Sequence, residues 1–275
     1  MKTIIAPTDF SPKSTNAVRY AADLASALGI NLSIVHIYNI PIGFGEIPIA
    51  ESSVREIFRD AEENMNKVKN EIVERTKGAI KVSTELIEGD IVISIMEYCN
   101  HVETYAVVMC AESRNGYERF LFGAKTLSAM KRFEWPIIVV PPDAHFESIR
   151  KIGLACDYRR VIDTVPVSEI KELVNAFHAE FHILYARGAN TENFDESTVE
   201  QSEWLQEMFE GLNVKYDFID GADVESSLVV YAEKNNLDLL IVLPKKHQII
   251  DKIFHHSHTQ RILMQANLPV MAIHE

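Results

Sequence analysis

The sequence predicts an α/β protein that consists of two tandem, doubly wound domains, each built on a five-stranded parallel sheet. Two observations predict it: strand-sized apolar segments recur in the same order in both halves, and helical patterns separate them. Continuous apolar strands that alternate with helices are typical of a parallel sheet covered on both faces. A length of 275 residues fits two such domains, which we place at residues 1–143 and 149–275.

The five strand segments of the first half each have a counterpart in the second. The pairs are Lys2–Asp9 with Arg150–Asp157, Leu32–Tyr38 with Phe181–Arg187, Leu86–Asp90 with Phe218–Ala222, Tyr105–Cys110 with Asp238–Leu243, and Trp135–Val140 with Leu268–Ile273. The offset is 148 residues between Asp9 and Asp157 but 132 between Gly89 and Gly221. One insertion, at Ile40–Ala50, explains this single change, so the pattern indicates a duplication.

Helical patterns lie between the strands. Ser11 and Pro12 are residue types that favour a helix start, and Gly29 favours its end. Apolar residues recur between them at helical spacing. The predicted helices are Ser11–Leu28, Glu51–Lys77, Asp90–Asn100, Ala124–Phe133, Val161–His178, Ser197–Phe209, Asp223–Asn235 and Ser257–Ala266.

Composition narrows the classes of partner and compartment. A net charge of −13 gives the chain no general attraction to nucleic acid or to an anionic membrane. Apolar runs stay well below the ~18 residues of a membrane span. The first run breaks at Pro7 and Asp9, which argues against a secretory signal. Three widely spaced cysteines, at 99, 110 and 156, predict free thiols, and we therefore expect a cytoplasmic protein.

The ligand site of a doubly wound sheet lies where the strands end, near the switch in strand order. In the first half this places Pro7–Asp9, Ile37–Tyr38 and Cys110–Gly123 together. In the second half the corresponding segments are Cys156–Asp157, Ala186–Arg187 and Leu243–Ser257. The loop after the fourth strand leads to a helix start, which favours an anion.

The chain resembles a tandem universal stress protein with two UspA-type domains. The residues that carry the resemblance are PTDFSPKSTNA at Pro7–Ala17, VHIY at Val35–Tyr38, EGD at Glu88–Asp90 and GAKTLSAMKRFEWPIIVVP at Gly123–Pro141. The resemblance implies a fold of the adenine nucleotide alpha hydrolase type and a role in stress response. It also implies that the last strands, Pro136–Val140 and Pro269–Ile273, pair to form an intramolecular pseudo-dimer. Such pairing would cover two sheet edges.

The resemblance further implies a nucleotide site, because ATP-binding members carry Gly-x2-Gly-x9-Gly-(Ser/Thr) after the fourth strand. Here that loop reads Cys110-x2-Ser113-x9-Gly123-Ala124, and the second reads Leu243-x2-Lys246-x9-His256-Ser257. In the first loop, the two lost glycines are expected to weaken binding about a hundredfold or more, by backbone strain or by blocking the phosphate path. The candidate nucleotide-binding residues are Pro7, Asp9, Ile37, Cys110, Ser113, Gly123, Ala124, Asp157, Ala186, Lys246 and Ser257.

Each of these features also has a simpler interpretation. Asp9 and Asp157 are residues that cap turns and helices without any ligand. The histidines around His255–His258 invite a metal site, but no recognised spacing completes one, so a polar loop is expected. Cys110, at a helix-start loop, is either a reactive thiol or a small residue in place of glycine.

The sequence therefore favours a non-enzymatic stress-response protein that acts by binding. Motifs for α/β-hydrolases, P-loops, dinucleotide folds and zinc proteases are absent from it. ATP or another adenine nucleotide is the candidate ligand of the first domain, and no metal is expected. Two alternatives stay open: a slowly hydrolysing ATP-binding switch that uses the first domain, and a scaffold without a ligand that contacts a protein partner. Beyond the pseudo-dimer, a homodimer also stays open.

Overall fold

The computed structural model describes residues 1–40, 51–111, 132–187, 196–221, 223–244 and 258–274. Its strands are β1 Thr3–Pro7, β2 Asn31–Tyr38, β3 Val82–Glu88, β4 Thr104–Cys110, β5 Ile137–Val140, β6 Lys151–Ala155, β7 Glu180–Arg187, β8 Val214–Asp220, β9 Leu239–Val242 and β10 Val270–Ala272. Its helices are α1 Pro12–Leu28, α2 Glu51–Arg75, α3 Ile91–His101, α4 Val161–Thr164, α5 Val167–Phe177, α6 Glu196–Met208, α7 Val224–Lys234 and α8 His258–Gln265.

The strands join into one continuous sheet in the order β3-β2-β1-β4-β5-β10-β9-β6-β7-β8. Each half contributes five parallel strands, as the repeat predicts. The last strands of the two halves, β5 and β10, pair antiparallel at the centre. The predicted pseudo-dimer through these strands is therefore confirmed, and β3 and β8 become the outer strands.

Helices cover both faces of this sheet. One core contains Ala21 of α1, Ile72 of α2 and Leu173 of α5, together with one set of strand residues. The opposite core is built around Ile95 of α3 and Leu228 of α7. Both cores draw on residues of the two halves, so the sheet and its helices form one packed body.

The first helix begins and ends where the sequence predicts. The Ser11 hydroxyl caps it by accepting a hydrogen bond from the Ser14 amide at 3.3 Å, and Pro12 opens it. Gly29 closes it with φ +64°, a left-handed conformation that glycine adopts at little cost. This fixes α1 directly behind the loop that carries Asp9.

One predicted helix is wrong. The segment Val161–His178 was expected to be continuous, but the structure divides it into α4 and α5. Pro166 separates them, because it lacks an N–H for the helical hydrogen bond and restricts the residue before it to extended conformations. Val165 accordingly has φ −96° and ψ 114°. The predicted helix Ala124–Phe133 lies mostly outside the described residues, as does the insertion from residue 41 onwards.

Contacts between the halves extend beyond the sheet to the helices and the connecting segment. Lys2, at the start of the first half, places its ammonium 2.5 and 2.7 Å from the two carboxylate oxygens of Glu172 on α5. The Asn16 amide donates to the Ala144 carbonyl at 2.9 Å. Phe146 lies with its ring centroid 5.4 Å from that of Tyr20. The connecting segment is thus packed against α1.

Candidate functional site

Asp9 lies at the end of β1, in a loop that holds its carboxylate in place. The carboxylate Oδ1 accepts a hydrogen bond from the Ser11 amide at 3.0 Å, and the Asp9 amide donates to the Ser14 hydroxyl at 3.3 Å. Burial raises the pKa of Asp9, but the hydrogen bonds from Ser11 and Ser14 outweigh burial and leave the pKa below its usual range. Asp9 is therefore an exposed, ionised acceptor.

Buried polar groups beneath Asp9 make the loop rigid. The Thr8 side chain is buried, lies 3.0 Å from the Ser14 hydroxyl and accepts from the Phe10 amide at 3.0 Å. The Thr8 carbonyl accepts from Nδ1 of His36 on β2 at 2.8 Å. These bonds satisfy the polar groups of the turn and connect the ends of β1 and β2.

An aromatic contact accompanies the turn. Phe10 has φ +64°, which is unusual for a residue with a bulky side chain. Its ring lies 4.3 Å from the His36 ring, centroid to centroid. A left-handed residue between Asp9 and Ser11 reverses the chain, so the carboxylate can bind the start of α1.

The second half repeats this arrangement. Asp157 Oδ1 accepts from the Arg159 amide at 3.1 Å, and the intervening Tyr158 has φ +50°. The Tyr158 ring stacks on Tyr185 of β7 at 4.9 Å, and Phe218 of β8 lies 6.5 Å from it. Tyr158 and Tyr185 stand at the positions that match Phe10 and His36. The turn that follows the first strand is thus preserved in both halves.

The other candidate residues fall into two groups. Pro7 ends β1, Ile37 and Ala186 lie near the ends of β2 and β7, and Cys110 ends β4. Since β2, β1 and β4 are neighbours in the sheet, Pro7, Asp9, Ile37 and Cys110 share one edge, which we call the first carboxyl edge. The residues Ser113, Gly123, Ala124, Lys246 and Ser257 lie outside the described residues, as do His247, His255 and His256.

Comparison with known proteins identifies the family. The model of the universal stress protein family matches residues 1–141, slightly more than half of the chain. The chain belongs to the universal stress protein family. A universal stress protein of Methanocaldococcus jannaschii is 27% identical over 143 residues, which cover 50% of this chain and 81% of that protein.

Solved structures extend the fold over both halves of this universal stress protein. The structure of a universal stress protein from Archaeoglobus fulgidus covers 99% of this chain and 96% of its own, with a TM-score of 0.75 and 17% identity. A functionally unknown protein from Pseudomonas aeruginosa covers 100% of this chain and 92% of its own, with a TM-score of 0.62 and 10% identity. At these identities the likeness concerns the fold alone.

Cys110 takes the place of the first loop glycine without the backbone strain that such a replacement could cause. It ends β4, paired with Val140 of β5, and it is absent from the described residues that have positive φ. Its side chain is 5% exposed and packs in the core on the α1 face of the sheet. At this position a Cβ therefore costs no left-handed backbone strain.

The second half contains an ion-pair cluster that the sequence analysis missed. Arg261 of α8 binds Asp223, the N-cap of α7, and also Glu225, whose carboxylate lies 3.2 Å from the guanidinium. Glu225 is only 3% exposed. Hydrogen bonding with Glu225, then with Ser226, and the charge of Arg261 lower the pKa of Asp223 to about 2. The cluster fixes α8, which follows the second loop, against α7.

The described residues lack two kinds of feature. In the described ranges, no group of three or more His, Cys, Asp or Glu side chains is arranged to hold a metal ion. Within the same ranges, none of the helices has both the length and the apolar character to cross a membrane. Cys99, Cys110 and Cys156, which all belong to the described residues, are buried and are not joined by a disulfide.

Proposed function

We propose that this universal stress protein is a non-enzymatic, cytoplasmic stress-response protein that acts by binding a small ligand or a protein partner. The ligand site is the first carboxyl edge, and a nucleotide-type molecule is its ligand class. The observation that carries the proposal is the exposed, ionised Asp9 carboxylate, which the loop holds beside the ends of β2 and β4.

The chemistry of Asp9 indicates which part of a nucleotide it would contact. An ionised carboxylate is an acceptor with about four lone-pair positions, and hydrogen bonds from Ser11 and Ser14 use part of this capacity. Hydroxyl groups of a ribose and the amino group of a base are donors that match this acceptor. A phosphate carries the same sign of charge as Asp9 and would be repelled. Asp9 therefore suits the nucleoside part of the ligand.

The two halves are not equivalent as ligand sites. The first loop keeps glycine at one of the three family glycine positions, Gly123, whereas Leu243, Lys246 and His256 stand at these positions in the second loop. Arg261, a cation near the second loop, is bound to Asp223 and Glu225 and so is less able to attract a phosphate. In this proposal the second half, with Asp157, mainly completes the pseudo-dimer and offers a surface for a partner.

A second candidate function is an ATP-binding switch that hydrolyses its nucleotide slowly. The observation that favours it is Cys110, whose side chain packs in the core and whose backbone is not left-handed. Backbone strain, one of the expected costs of losing a glycine, therefore does not arise at this position. In that case the ligand would be a triphosphate, and Ser113 and Gly123 would provide hydroxyl and backbone donors to it.

Calorimetric titration with Mg-ATP and with AMP tests the proposal. We expect a measurable dissociation constant for at least one of them, weakened roughly tenfold or more by Asp9→Asn, because a charged hydrogen bond is lost. The matched control is Asp157→Asn, the equivalent change in the second half, which should leave binding unchanged. Circular dichroism would verify that both variants are folded.

The outcomes separate the candidates. Absence of heat with both nucleotides at about 1 mM would remove the nucleotide proposal and leave the scaffold that contacts a partner. Equal loss of binding in Asp9→Asn and Asp157→Asn would contradict the assignment to the first carboxyl edge. Steady release of phosphate from Mg-ATP over many turnovers would favour the switch.

A further inference from the structure

His182 on β7 is a buried histidine with a carboxylate at each ring nitrogen. Its Nδ1 lies 2.8 Å from Oδ2 of Asp217 on β8, and its Nε2 lies 2.6 Å from Oε1 of Glu180. The side chain is 4% exposed. A neutral imidazole has one N–H and can donate to only one of these oxygens, whereas an imidazolium donates to both. The geometry thus matches the ring with its second proton bound.

Charged groups on the neighbouring elements complete the cluster. Lys215 of β8 lies 2.9 Å from Glu180 Oε1, and hydrogen bonds from Lys215 and then His182 lower the pKa of Glu180. The Tyr231 hydroxyl of α7 bonds to Asp217; burial and this bond raise the pKa of Tyr231. On β6, Lys151 is in register with Glu180, and its ammonium donates to the Asn235 carbonyl at 3.1 Å.

The equivalent place in the first half holds a neutral pair. Ser33 matches His182 in the repeat, and Tyr98 matches Tyr231. The Ser33 hydroxyl lies 2.9 Å from the Tyr98 hydroxyl, and Ser33 is fully buried. In the described part of the first half, a neutral hydroxyl pair therefore stands where the second half has the charged cluster around His182.

We propose that His182 is a proton-binding site that makes the outer edge of the second half sensitive to pH. With the proton bound, His182 connects β7 to β8 through Asp217, and Asp217 connects β8 to α7 through Tyr231. When the proton leaves, one carboxylate faces a ring lone pair and repels it. Because β8 is an outer strand that, among the described strands, pairs with β7 alone, it is the element that loosens. The stabilisation is present at low pH and is lost as the pH rises.

Nitrogen NMR of the histidine rings in the whole protein is the direct test. While the second proton is bound, both ring nitrogens of His182 should give the signals of protonated nitrogens. When the second proton leaves at higher pH, the two signals should separate, because only one of the nitrogens keeps its proton. A single neutral tautomer for His182 at about pH 6 would overturn the proposal. This measurement needs no variant and so does not depend on folding of a mutant.

Hydrogen exchange tests the structural consequence. Protection of the β8 amides should fall roughly tenfold or more between about pH 6 and about pH 9, beyond the intrinsic change in exchange rate. That fall should vanish in His182→Ser, which copies the first half, and persist in His145→Gln, a change of an exposed histidine. If His182→Ser fails to fold, Asp217→Asn is the second variant to measure, and it should also reduce the fall in protection. An equal fall in β3, the opposite outer strand, would contradict the assignment to His182.

Discussion

Val139 of β5 and Val270 of β10 are antiparallel partners at the centre of the ten-stranded sheet, where the two halves of the chain meet. The next pair, Ile138 and Met271, is buried as well. Each half therefore completes the sheet of the other, and the strand edges that would otherwise be open are covered. Unfolding of one half removes the partner of the other, so we expect the halves to unfold together.

Truncation of Ile138 to alanine tests this central seam. Ile138 is 1% exposed, and its loss should lower the free energy of unfolding by about 2–5 kcal/mol, because burial is lost and a cavity remains. Urea unfolding would measure the change, and Ile93→Ala, at a half-exposed position of α3, is the control. Two separate transitions, with only the first half destabilised, would contradict a coupled seam.

Gly153 on β6 tests a close contact between the sheet and the turn after α7. A Cβ at Gly153 would lie 2.6 Å from Cδ1 of Leu237, so Gly153→Ala should destabilise the protein by about 1–3 kcal/mol. The double variant Gly153→Ala with Leu237→Val should be less destabilised than the sum of the two single variants, because the shorter valine leaves space for the added Cβ. Simple additivity in urea unfolding would show that this contact is not the cause.

The fold was predictable because duplication repeats its signals. Matching strand segments in both halves predicted two five-stranded domains, the family resemblance implied the pairing of the last strands, and local signals such as Pro12 and Gly29 placed α1. The sequence analysis failed at Val161–His178, where an apolar pattern continued across Pro166. There the backbone rule that proline ends a helix outweighed the periodicity.

The candidate site was predictable only where it depends on the ends of strands. Asp9 and Asp157 were found because each follows a first strand, but their partners were not, since hydrogen bonds such as His36 to Thr8 join residues far apart in sequence. The left-handed Phe10 and Tyr158 had one available signal: both are aromatic and follow matching aspartates. Charge pairs between helices, such as Arg261 with Glu225, leave no local pattern to find.

The ionisation of Asp9 is tested by Ser14→Ala. Removing the Ser14 hydroxyl should raise the pKa of Asp9 toward its usual value, as measured by NMR titration of the carboxyl carbon. A lowered folded pKa stabilises the protein above about pH 4, the unfolded value, and that stability is lost as the pH falls through the folded value. Ser26→Ala, in the same helix, is the control and should leave Asp9 unchanged. A pKa of Asp9 above its usual range in the wild type would contradict the hydrogen-bonded loop.

Arg261→Met tests the cluster that joins α7 and α8. Because Glu225 is buried, removal of the guanidinium should lower the free energy of unfolding by about 1–3 kcal/mol. This range allows for solvent screening, since Arg261 is partly exposed. Val92 stands at the first-half position that matches Glu225, and the double variant Glu225→Val with Arg261→Met should therefore recover most of the loss. Arg160→Met, which breaks an exposed pair with Asp163, is the control and should change stability by less than about 0.5 kcal/mol. If the double variant were as unstable as both single variants combined, the two side chains would not be coupled, and other contacts, such as the hydrogen bond from Ser226 to Gln265, would hold α8 against α7.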